Sequence, residues 1–163
     1  MEHKTVILDT NKKSVQPKEK VVRKEASQWN SMTELLEIQN QRSILDEQSS
    51  LTRRQIMNKI YGYKSQDIEK DKFDPTRFVD YDFVCNLLRE KDFKCYYCTE
   101  PVYIYYNYVR ENKQWTLERI DNSMGHNKDN VQIACLRCNL RRRTMHHERY
   151  LKTKQMINVV KLE

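Results

Sequence analysis

Three features of the chain predict an α+β architecture, with a helical N-terminal region preceding a small module of short strands and a basic terminal helix. Apolar residues recur at helical spacing through the first half, runs of β-branched and aromatic residues follow, and two C-x2-C pairs bracket those runs. The 163 residues suffice for one compact domain, or for a small domain with a helical extension.

Residues 1–27 are rich in Lys, Ser and Gln, lack a sustained apolar period, and read as a mobile basic arm. Residues 28–82 read as a helical region. A first helix is expected over 31–48, where Leu35, Leu36, Ile38, Ile44 and Leu45 fall near helical spacing and Ser31 or Thr33 offers an N-cap. A second is expected over 51–69 on Ile56, Met57, Ile60 and Tyr61, weakened at Gly62. Its Lys and Arg residues suit either a solvated face or a phosphate backbone. Asp74-Pro75 reads as a turn. Asp74 or Thr76 could then start a helix whose apolar face is Phe78, Phe83, Val84, Leu87 and Leu88, with Cys85 as a small buried hydrophobe.

Residues 83–163 form the module. PVYIYYNYV (101–109) reads as a strand, 110–113 as a turn, QWTLERI (114–120) as a second strand, Gly125 as a loop, and Val131 to Ala134 as a third. From Asn139 to about Val160 there is no Pro or Gly, which predicts one long helix.

Cys95-Tyr-Tyr-Cys98 and Cys135-Leu-Arg-Cys138 are separated by 36 residues. A two-residue gap lets both sulfurs of a pair point inward from one turn, and two pairs supply the four thiolates of a closed tetrahedral Zn²⁺ site. Such a site substitutes for core that a small module cannot build. A redox dithiol is the competing reading of a single pair.

The net charge of +7 is unevenly spread: residues 1–93 hold 17 Lys and Arg against 16 Asp and Glu, whereas 94–163 hold 13 against 7. The basic excess travels with the cysteines and fits an anionic polymer as partner. No apolar run approaches the roughly 20 residues that cross a bilayer, and no signal peptide is evident. The expected setting is intracellular and reducing, with no membrane partner.

Between the knuckles runs WTLERIDNSMGHNKDNVQIACLRCNLRRRT. Over about residues 83–145 the chain resembles the HNH endonucleases, the His-Me finger or ββα-metal nucleases, and is most similar to phage and large-virus members with a D-R-I-D-N motif. The resemblance implies a ββα-metal fold with a structural four-cysteine zinc site and hydrolysis of DNA phosphodiester bonds. It implies that Glu118 and Asn139 ligate a catalytic Mg²⁺ or Mn²⁺, that Asn130 braces the loop, and that Arg142 holds phosphate. Where the family carries its general-base His, this chain has Arg119, which cannot accept a proton but can clamp a phosphate. The base must then be His126, Asp121 or a tyrosine. The basic helix with Arg141, Arg142 and Arg143 is expected to bind nucleic acid. Duplex or branched DNA is the expected partner, and the helices over 31–69 could pair two chains as a homodimer. The alternative is an inactive HNH-like zinc module that binds DNA or RNA.

Overall fold

The computed structural model describes residues 18–29 and 38–156. Among these, five α-helices and a two-stranded antiparallel sheet give a mixed α/β architecture. None of the described helices is long and apolar enough to cross a membrane.

Helix α1 spans Ile38–Glu47; the expected caps Ser31 and Thr33 lie outside the described residues. Helix α2, Ser50–Glu69, is capped by Ser49, whose hydroxyl accepts the Thr52 N–H. It runs unbroken through Gly62, where a side chain would meet nothing within 4 Å. Its inward stripe is Thr52, Ile56, Ile60, Tyr63 and Asp67, a helical spacing that turns polar toward the C-terminus. The apolar part of that stripe joins the core.

The chain after α2 corrects one expected start. Asp74 does not begin a helix; its carboxylate accepts the Thr76 N–H and hydroxyl in a tight turn. Helix α3, Tyr81–Glu90, starts at Asp80, which accepts the Phe83 N–H at 2.8 Å. It buries Tyr81, Val84, Cys85, Leu87 and Leu88 against α2 and the sheet.

Strand β1, Trp115–Arg119, pairs with β2, Val131–Cys135, in the register Trp115↔Cys135 to Arg119↔Val131. The strand expected over 101–109 does not form. Its central backbone groups are taken one by one: Val102 N–H donates to the Phe93 carbonyl, and the Gln41 side chain donates to the Val102 carbonyl and accepts the Ile104 N–H. Among the described residues only single bridges remain, from Pro101 to Lys94, from Tyr103 to Gln114 and from Tyr108 to Val22. Val102, Ile104, Tyr105 and Tyr106 are buried, without the alternation of a half-covered strand.

The long helix expected after Cys138 is two. Helix α4, Leu136–Arg142, begins three residues earlier, capped by Cys135, and helix α5 is His147–Met156. Arg143 stands between them at φ 51°, a left-handed conformation. The break follows from Arg142, whose side chain turns inward and donates from Nε to the Met145 carbonyl, folding the linker over itself. The end of the expected arm is also fixed. Val22 bridges Tyr108, Arg23 donates to Gln55 and the Tyr106 carbonyl, and just beyond the arm Trp29 packs on Tyr105. Residues 1–17 lie outside the described residues.

Candidate metal centre and the polar cavity beside it

Cys95, Cys98, Cys135 and Cys138 converge, and their Sγ atoms all lie within 4.8 Å of one another. Four thiolates around a metal at about 2.3 Å stand about 3.8 Å apart at the corners of a tetrahedron, and Cys98 Sγ to Cys135 Sγ is 3.9 Å. The cluster could therefore hold a metal ion such as zinc. Each knuckle points its backbone at sulfur, with Tyr97 N–H donating to Cys95 Sγ and Cys138 N–H to Cys135 Sγ, both at 3.4 Å. The Tyr96 N–H donates to the Ile133 carbonyl and ties the first knuckle to β2. Tyr150 of α5 closes the far side edge-on to Tyr97 at 4.8 Å. Cys85, in α3, takes no part in the cluster and is buried.

On the other side of α4 lies an open cavity of about 710 Å³, lined among others by Lys59, Tyr63, Lys72, Glu118, Arg119, His126, Asn139 and Arg143. Four residues singled out by the sequence, Glu118, Arg119, His126 and Asn139, thus share one cavity. Strand and helix geometry explain two of them. Thr116 and Glu118, two apart on β1, face Asn139 and Arg142, three apart on α4: Asn139 Nδ2 donates to Thr116 Oγ1 at 3.2 Å and Arg142 to Glu118 Oε1 at 2.6 Å.

Glu118 is only 4% exposed and its Oε2 has no hydrogen-bond partner among the described residues. Burial pushes its carboxyl up to about 7, against the pull of the Arg142 guanidinium. Asn139, spending its Nδ2 on Thr116, keeps its amide oxygen as a second acceptor. Arg119 donates to the Asn122 and Met124 carbonyls at 3.3 Å, so its guanidinium is tied to the loop at the cavity rim.

The expectation that Arg142 holds phosphate is corrected. The residue is 3% exposed and commits four of its five N–H donors, to Glu118, to the Arg119 and Ile120 carbonyls and to the Met145 carbonyl, so its role is internal. Its neighbours diverge, because Arg141 is turned about 100° from it on the helix and Arg143 has left the helix at positive φ: Arg143 lines the polar cavity, whereas Arg141 lines a second one beside the cysteines. Asn130 stands behind the cavity as a brace. Its amide donates to the Asp121 and Gly125 carbonyls at 3.0 and 2.9 Å and accepts the Asp121 N–H at 2.9 Å.

Geometry separates the three candidates for a base. Asp121 is exposed, does not line the cavity, and its carboxylate accepts the Ser123 N–H and hydroxyl, which hold its pKa below the usual carboxylate range. Tyr63, beneath the cavity, accepts the Leu117 N–H at 3.0 Å, and burial raises its hydroxyl far above the range of a base at neutral pH. His126 is buried, lines the cavity, and is bonded through Nδ1 to Asp67 at 2.7 Å.

Sequence reasoning missed Asp67 and Lys72, and it took Lys59 and Tyr63 only as part of a basic helix face. Lys59 donates to Gln114 Oε1 at 2.9 Å and to the Trp115 carbonyl, lies 4.8 Å from the Trp115 ring, and has its pKa lowered well below that of an ordinary lysine by burial and by Arg23. Lys72 donates to the Asn122 carbonyl. One signal existed: Asp67 continues the inward spacing of Ile56, Ile60 and Tyr63, where an apolar residue is expected. Comparison with protein-family models, with curated proteins and with solved structures finds no match to this chain.

Proposed function

We propose that the chain is a metal-dependent endonuclease that hydrolyses DNA phosphodiester bonds, with β1, β2 and α4 as a ββα-metal module of HNH type and the four cysteines as its structural zinc site. The observation that carries this reading is the convergence of Glu118, Asn139, His126 and Arg119 on one cavity. A structural metal centre alone requires none of them.

The donors suit a hard divalent cation. Glu118 Oε2 is a buried acceptor with no protein donor among the described residues, and Asn139, which lines the same cavity from the facing helix, would offer its amide oxygen as a neutral ligand. Mg²⁺ or Mn²⁺ bound there would supply charge stabilisation at the phosphate and the leaving oxygen. A single carboxylate, already sharing its other oxygen with Arg142, makes a sparse site that water and phosphate oxygens must complete. Arg119, Arg143 and Lys72 ring the same cavity and can meet the phosphate backbone, while His126 supplies an imidazole suited to proton transfer.

Nicking of supercoiled plasmid tests the reading. We expect relaxed and linear products with Mg²⁺ or Mn²⁺ and none with EDTA. If plasmid and branched DNA both survive under every metal and pH condition while the protein still binds them, the inactive binding module replaces the nuclease.

A further inference from the structure

The buried pair between α2 and the loop after β1 has a built geometry. Asp67 is 1% exposed, and both of its oxygens are committed to a single residue: Oδ1 lies 2.7 Å from His126 Nδ1, and Oδ2 accepts the His126 backbone N–H, also at 2.7 Å. A carboxylate only accepts, so Nδ1 must carry the imidazole proton and the Nε2 lone pair is left for the cavity. Tyr63 fixes the ring plane from the same helix, at 4.5 Å and tilted 33°. Tyr63 is itself pinned to β1 through the Leu117 N–H. The approach is close enough to dictate the preceding residue. A Cβ on Gly125 would stand 2.4 Å from the Lys72 carbonyl oxygen and 2.7 Å from Asp67 Oδ2, so only glycine lets the loop reach α2.

We propose that Asp67 is a positioning residue that holds His126 in the Nδ1–H tautomer with Nε2 as the proton acceptor, so that α2, outside the strand and helix module, completes the active site. The proposal rests on the nuclease reading for its chemistry. Water passes one proton to His126 Nε2 as its oxygen bonds to phosphorus and the phosphorus–oxygen bond to the leaving group breaks. The leaving oxygen takes a proton from solvent, and the imidazolium keeps its Nδ1–H on Asp67.

Several charges act on the imidazole. Burial disfavours its cation, as do Arg119 from β1 and Lys70 from the end of α2, while Asp67 favours it; the Lys72 ammonium also lines the cavity. The net direction is downward from the ordinary value of 6.5. At saturating Mg²⁺, which would hold the Glu118 carboxyl ionised, cleavage should therefore rise with pH through a midpoint below 6.5 and then level.

The isosteric Asp67→Asn protein tests the assignment, because its amide can still accept the His126 backbone N–H but presents a donor to Nδ1, which inverts the tautomer. Two readouts are taken on full-length protein of wild-type zinc content. Long-range ¹H–¹⁵N correlation of the imidazoles should place the proton on Nδ1 of His126 in the wild type and on Nε2 in Asp67→Asn. Plasmid nicking should fall by about 10³-fold or more in Asp67→Asn, with the acidic limb lost, and no further in Asp67→Asn combined with His126→Ala than in His126→Ala alone.

A wild-type imidazole protonated on Nε2 overturns the proposal, whatever the cleavage. So does an equal loss from Asp67→Asn in both backgrounds, because Asp67 would then act by another route. A wild-type protein with the Nδ1–H tautomer that cleaves nothing overturns the nuclease reading and the role of His126 as base with it. A wild-type protein that cleaves, beside an equally active Asp67→Asn, overturns the positioning role alone.

Discussion

Arg141, Arg142 and Arg143 are consecutive in the chain and end in three different places. As a sequence, three arginines after a metal knuckle suggest one phosphate-binding cluster, and nothing in their identity marks the middle one as internal. What removes it is the Glu118 carboxylate across the helix, together with backbone carbonyls that a guanidinium fork can satisfy at once. Arg142→Ala should therefore destabilise the protein by about 3–5 kcal/mol, less whatever Glu118 recovers by taking up a proton. Arg141→Ala and Arg143→Ala should stay within about 0.5 kcal/mol; urea unfolding distinguishes them. DNA binding should order them the other way, with Arg141 and Arg143 each changing the log-log salt slope by about one unit, provided the fold is intact.

His126 was legible as a candidate because a loop imidazole beside an acidic motif is chemically conspicuous. Its partner was not, for Asp67 stands 59 positions away and only the folded chain joins them. The same pair carries a pH dependence of stability. Because the folded-state pKa of His126 lies below its unfolded value near 6.5, the unfolded chain binds more protons between the two. The stabilisation is present above 6.5 and lost as pH falls through the folded value. Melting temperature followed from about pH 7 to about pH 5 should fall more steeply for wild type than for His126→Gln.

At the scale of elements, the parts decided by local chemistry were readable. β1 and β2 followed from their apolar, β-branched runs, and α3 from its apolar spacing, although its start moved from Asp74 to Asp80 because only the latter aligns its carboxylate with a following helical N–H. Elements decided by tertiary partners were not. Residues 101–109 have strand composition, yet Gln41 and Phe93 take the hydrogen bonds a neighbouring strand would have made. The basic stretch after Cys138 has helical composition throughout, yet Arg142 breaks it by turning inward.

The two glycines make the same distinction. Gly62 sits on the open face of α2, where an added methyl would meet nothing within 4 Å, so Gly62→Ala should stabilise the protein by about 0.5–1 kcal/mol through helix propensity. Gly125→Ala should destabilise it, because the added methyl would meet the Lys72 carbonyl and Asp67, and it should also displace His126. Thermal unfolding of the two variants should move in opposite directions.

For the whole molecule, the cysteine spacing was the most informative feature of the sequence, because metal geometry demands four sulfurs in one place and two knuckles can deliver them only together. The centre joins the turn after α3 to the junction of β2 and α4, so it holds the cavity wall that carries Asn139 and Arg142. One zinc per chain is expected by metal analysis. Chelation should unfold this region and abolish any cleavage, and Cys135→Ser should lose the metal while Cys85→Ser retains it. The wider composition of the cavity was not legible. Its far wall is the polar end of α2, which the sequence presents as an ordinary charged helix, and the fixed segment around Arg23 and Trp29 was hidden at the edge of a polar stretch without apolar period.

If the cavity between α2, β1 and α4 binds a divalent cation through Glu118 and cleaves DNA, turnover must depend on that carboxylate. The decisive comparison is the Mg²⁺-dependent nicking rate of Glu118→Gln beside wild type, at equal zinc content and equal DNA affinity. Glutamine keeps the shape and can still accept from Arg142, but removes the only carboxylate contributed to the cation. We expect cleavage to fall by about 10²-fold or more while zinc content and binding hold. An undiminished rate in the Glu118→Gln protein would contradict the assignment and place any nuclease chemistry elsewhere on the chain.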